Sequence, residues 1–224
     1  MRQRSIYFAL LTCFALLAMA SSIAGQPAGQ DIVSRLLPDG DPHRMVDPGP
    51  AEKSTAIKQL RSVQKSAHDE RSVEATFLLA AYGSDFEKNR DALIDNLRGC
   101  TTPAIKYGCD GNIAEYLITL YQRGHKDVLK PLMLVGKNSY SAVVAENLGS
   151  FLATLLSSNP DVFFETTREF TPEAREDLCE LAGTGDGDGL SAEKLEQVRK
   201  ELKGRNDELS VACLQAIETA NRRD

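Results

Sequence analysis

Apolar residues recur at helical spacing along nearly the whole chain from Ala51 onward. Ile113, Tyr116, Leu117, Leu120 and Tyr121 lie zero, three, four, seven and eight positions from the first, which lines one side of an α-helix. Val144, Leu148, Phe151, Leu152 and Leu155 repeat the arrangement, as do Leu209, Cys213, Ala216, Ile217 and Ala220. Alternating β-branched runs long enough for a strand are missing, so the pattern predicts one all-α domain over 51–224. Helices are expected at 51–66, 69–82, 85–98, 111–123, 127–136, 141–157, 160–169, 172–182, 192–203 and 207–221.

Polar punctuation sets these limits. Ser84 and Glu87 have capping-box spacing, Thr171-Pro172-Glu173 offers an N-cap followed by proline at the first helical position, and Asn159-Pro160-Asp161 does likewise. Short helices joined by tight turns leave few topologies. Stacked antiparallel helical hairpins forming an α-α superhelix are the simplest, and an irregular helical bundle is the alternative. Three turns share a polar link, an aspartate and an apolar residue opening the second helix: Tyr82 to Phe86, Arg123 to Val128, and Ser157 to Val162. Their aspartates, Asp85, Asp127 and Asp161, are 42 and 34 residues apart. On this architecture the stretch 69–182 resembles HEAT or armadillo-like helical hairpin repeats. The resemblance implies an extended concave surface suited to a protein or peptide partner.

The first 50 residues break the pattern. Arg2 and Arg4 precede an apolar run from Ile6 to Ala20, and both Ala18-Met19-Ala20 and Ser22-Ile23-Ala24 carry small residues at cleavage spacing. Residues 1–24 therefore read as a secretory signal peptide, with a mature chain starting near Ser21 or Gly25. Retention as an anchor is the competing reading, because Ser5 to Ala24 nearly reaches the roughly 20 residues that cross a bilayer. Five of the nine prolines fall in 25–50, which reads as a Pro/Gly-rich flexible linker interrupted by an apolar piece, Ile32 to Leu37, able to dock on the folded body.

Composition then narrows the class. The 224 residues are 42% hydrophobic and carry a formal net charge of -6, which excludes a polytopic membrane protein and disfavours a nucleic-acid binder, since phosphate neutralisation needs a basic face. No stable membrane insertion is expected once the signal is removed, and the address is periplasmic or secreted. Cysteine usage points the same way. Beyond Cys13, the chain has Cys100, Cys109, Cys179 and Cys213, an even number that suits two disulfides in an oxidising compartment. Three pairings are possible, and proximity favours Cys100 with Cys109 and Cys179 with Cys213. Structural zinc usually takes cysteines two to four residues apart, a spacing that these four lack.

Candidate chemistry is sparse. Gly183 to Ser191 resembles part of a calcium-binding EF-hand loop, with Asp186, Asp188 and Gly189 at loop positions three, five and six. Position one then holds Thr184 and position twelve holds Leu195 where a bidentate glutamate is needed, so Asp186 and Asp188 also read as an acidic turn before a helix capped by Ser191. His43, His68 and His125 have no partner at helical spacing, and no zinc-protease string, nucleophile elbow or phosphate loop is present. No catalytic residue and no cofactor can be named. The resulting expectation is an exported, non-catalytic protein-binding or scaffold module. The alternatives are an exported carboxylate-dependent hydrolase or lyase and a weakly calcium-responsive module.

Overall fold

Proline at a first helical position sets two of the longer helices, because its missing N–H is one that no intrahelical acceptor would have used. Pro50 opens α2 (Pro50–Ser66) and Pro172 opens α9 (Pro172–Thr184). Between and beyond them the computed structural model, which describes residues 31–101 and 112–222, places α1 (Ile32–Leu36), α3 (Glu70–Ala81), α4 (Phe86–Gly99), α5 (Ile113–Gln122), α6 (Leu129–Gly136), α7 (Ala142–Ser158), α8 (Pro160–Thr166), α10 (Ala192–Arg205) and α11 (Glu208–Ala220). The protein is all-α. Among the described residues the only β pairing is an isolated bridge between Gly185 and Gly189, and no helix is long and apolar enough to cross a membrane.

The helices stack in two rows. α3, α5, α7, α9 and α11 each pack against the next member of that series, while α2 and α4 flank α3, α6 lies against α4 and α5, and α10 spans α7 and α11. Hydrophobicity explains which helices lie inside. α3 is buried continuously from Ala75 to Ala81 and α5 buries Ile113, Ala114 and everything from Tyr116 to Tyr121, so these two are apolar nearly all round and must be covered. α2 and α10 bury one stripe each, Ala56 and Leu60 in the first and Leu195, Val198 and Leu202 in the second, and leave their charged faces to water.

Glycine permits the closest crossings. A methyl group on Gly149 of α7 would lie 2.4 Å from the Gly185 carbonyl oxygen and 2.7 Å from that of Leu181, and one on Gly183 of α9 would lie 2.6 Å from the Ile217 carbonyl of α11. The α9–α11 crossing carries the Cys179–Cys213 disulfide, whose Cα atoms are 5.3 Å apart. Both half-cystines are buried.

From Ile32 onward, the segment expected as linker is tied down. Ile32, Val33, Leu36 and Leu37 are buried, with α1 against α2 and α3. Beyond them, the Gly40 carbonyl accepts from Tyr116 Oη at 3.0 Å and from Asn112 Nδ2 at 3.1 Å, Val46 O accepts from Tyr82 Oη at 2.8 Å, and Asp47 pairs with Arg123 at 3.0 Å. The flexible-linker reading fails over this part because its donors come from residues up to 76 positions away, which local composition does not reveal. Residues 1–30, with the expected signal, lie outside the described residues.

Local punctuation also needs correction. Ser84 does not cap α4: Gly83 and Asp85 adopt positive φ (72° and 48°), and the turn aims the Ser84 hydroxyl and the Asp85 carboxylate at Arg61 of α2, at 3.0 and 2.8 Å. Asn159 makes no side-chain cap, and α8 stops at Thr166, short of the expected 169. Ser191 and Thr171 do cap, accepting from the Lys194 and Ala174 backbone N–H groups.

Candidate functional site

A concavity with apolar walls lies above the Cys179–Cys213 bridge. It is an open groove of about 480 Å³ between α9 and α11, closed at one end by Phe163 and Phe164 of α8. Its floor follows from sequence spacing. Ala212, Cys213 and Ala216 on α11 face Cys179 on α9, so small side chains and the disulfide leave a trough where larger ones would have filled it. Arg175, Glu176 and Glu180 form the α9 rim, while Leu209, Gln215 and Thr219 form the α11 rim. Leu209, which periodicity assigns to the inner stripe, is 45% exposed, and the neighbouring Val211 is 54% exposed. In the first turn of α11 the buried position is Ser210, held by Asp207 and Arg205, and the apolar stripe follows from Cys213.

One ionic cluster fixes the aromatic end. Arg205 pairs with Asp161 and with Asp207 (3.2 Å), donates to Ser210 Oγ at 3.1 Å, and lies 4.9 Å from the centre of the Phe164 ring. The Asp161 hydrogen bond leads the causes that raise the Arg205 pKa, so this guanidinium stays charged. Asp207 is held below the usual carboxylate range first by the Ser210 backbone N–H that it caps. Phe164 meets Phe163 edge-on, with ring centres 5.3 Å apart. Preformed aromatic and small apolar walls with a thin polar rim suit binding through shape and apolar contact.

Asp186 and Asp188, the calcium candidates, are exposed at the tip of the α9–α10 turn. The Gly187 and Gly189 N–H groups both donate to the Thr184 carbonyl at 2.9 Å, so the turn closes on its own backbone. Leu195, at the position where the calcium loop needs its glutamate, is buried in α10. Among the described residues no three His, Cys, Asp or Glu side chains converge on a metal-sized space. The histidines sit in separate turns: His125 stacks on Phe86 with ring centres 4.0 Å apart, His43 lies in the 3₁₀ turn Pro42–Arg44, and His68 precedes α3. A second hollow, between α4 and the start of α6, contains Arg90, Asp91, Arg98, Asp95 and Asp127, but these charges are already matched through Arg90–Asp91, Arg90–Asp127 and Arg98–Asp95 pairs.

No protein-family model, curated protein or solved structure matches this chain. The groove therefore has to be read from its own chemistry. Of the four cysteines beyond Cys13, Cys179 and Cys213 are bonded to each other, Cys100 is buried and disulfide-bonded, and Cys109 lies outside the described residues. The groove residues escaped the sequence reading because they come from three helices over 57 positions, Phe163 to Thr219. The available signal was Leu209 and Val211, two apolar residues in the first turn of α11 that cannot both face one stripe.

Proposed function

We propose that this chain is an exported, non-catalytic binding module whose helical stack presents the α9–α11 groove to a partner protein. The observation carrying this reading is the groove itself: an open trough with an apolar floor, an aromatic end wall and an exposed leucine on its edge. An enzyme of carboxylates would need acidic side chains converging in a deep pocket, whereas Glu176 and Glu180 lie side by side on one rim. The signal-like pattern of 1–24 supports export, as does a disulfide that a reducing cytosol would not maintain.

Replacing Ala212, an exposed residue of the groove floor, with tryptophan fills the trough without disturbing the core. The Ala212→Trp protein should be exported and fold like the parent, yet lose the protein that copurifies with the parent from the exported fraction. Retention of that protein by the filled groove would place docking elsewhere.

A further inference from the structure

Resting on that docking reading, the groove also specifies what kind of segment it takes. We propose that its occupant is a basic amphipathic helix of about three turns belonging to a partner protein. Length comes first. Leu209 and Thr219 mark the two ends of the α11 wall, and the ten steps between them rise about 15 Å along a helix.

Backbone chemistry selects helix over extended peptide. Both long walls are α-helices whose interior N–H and C=O groups are used within the helix, so an extended peptide would find no open edge to pair with its own polar groups. A helix brings its backbone bonds with it. The small floor of Ala212, Ala216 and the disulfide lets such a helix approach closely, while Phe164, half-buried against the fully buried Phe163, offers one end for a larger apolar anchor.

Charge then selects the sign. α9 and α11 together carry six acidic residues, Glu173, Glu176, Asp177, Glu180, Glu208 and Glu218, against a single basic one, Arg175. Lys137 pairs with Asp177, and Arg199 and Arg222 pair with Glu218. Of the charged residues that line the groove, Arg175 and Glu176 enter no ion pair among the described residues; Glu173 and Glu208 on the same two helices, likewise without one, leave the pair of helices net negative. A second copy of this chain, itself at -6, would meet like charge, which makes another protein with Lys or Arg on its polar face the matching occupant.

The test uses the oxidised full chain and three fluorescent 14-residue peptides: one of Leu, Ala and Lys in a helical amphipathic pattern, one with Glu for every Lys, and one Lys peptide broken by a central proline. Fluorescence anisotropy should show the Lys peptide binding at least tenfold more tightly than the other two. Ala212→Trp should abolish that binding, and Glu176→Lys should weaken it severalfold. Equal affinity for the Lys and Glu peptides, or undiminished binding to Ala212→Trp, would overturn the assignment. If Ala212→Trp releases a natural partner whose contacting segment proves acidic or non-helical, the basic-helix inference fails while the docking reading stands.

Discussion

Gly149 and Gly204 make opposite demands, although both lie within helices. A methyl group on Gly149 would strike the carbonyl oxygens of Leu181 and Gly185, whereas one on Gly204 meets nothing within 4 Å. Gly149→Ala should therefore destabilise the fold by about 1–3 kcal/mol through overpacking. Gly204→Ala should stabilise it by about 0.5–1 kcal/mol by removing unfolded-state freedom. Urea unfolding checks both signs, and equal midpoint shifts would contradict the close α7–α9 crossing. Tyr82 and Tyr116 supply a pH dependence. Burial raises both phenol pKa values above the ordinary value near 10, because the phenolate is disfavoured where the neutral hydroxyl donates to Val46 O and Gly40 O. For a group whose folded pKa is raised, this stabilisation is complete below the unfolded value and is lost as pH rises above it. Melting temperature should accordingly fall above about pH 10. The Tyr82→Phe/Tyr116→Phe double variant, less stable at pH 8, should fall less steeply, and parallel slopes would contradict the buried hydroxyl anchors.

At the scale of elements, the Cys179–Cys213 bond ties the final hairpin of α10 and α11 to α9 across the Gly-Asp turn. Replacing both cysteines with alanine should cost about 2–5 kcal/mol, the usual effect for a native bridge in a small secreted domain. Chemical denaturation in parallel with the reduced parent checks this value, and a midpoint unchanged by the double substitution would mean that packing alone fixes the hairpin. Helices and this pairing were legible in the sequence because both depend on spacing. Leu178 and Ala182 on α9, with Ile217 on α11, point the two cysteines into one core. Elements set by distant partners were not legible. The docking of Ile32 to Leu37 was legible as an apolar piece, but the strap after it is held by Tyr82, just past α3, and by Tyr116 of α5, and the Ser84 turn is held by Arg61 of α2, so composition alone read these two as linker and cap.

For the whole molecule, stacking produces a property that no single helix has. The stripe of each helix finds cover on its neighbours, but α11 has no later helix of the described chain beside it, and its outer face with α9 becomes the groove. The resemblance to helical hairpin repeats implied a concave binding surface in general terms. It did not locate one, because a trough made by small residues on two crossing helices depends on their crossing point. Site-specific photocrosslinking of the protein in its native cells tests the central claim most directly. A photoreactive residue at Ala212, on the groove floor, should give one discrete adduct with another protein, and the same residue at Lys200, exposed on α10, should give none. Adducts from Lys200 alone, or no adduct from Ala212 while the parent retains its copurifying partner, would contradict a docking role for the groove.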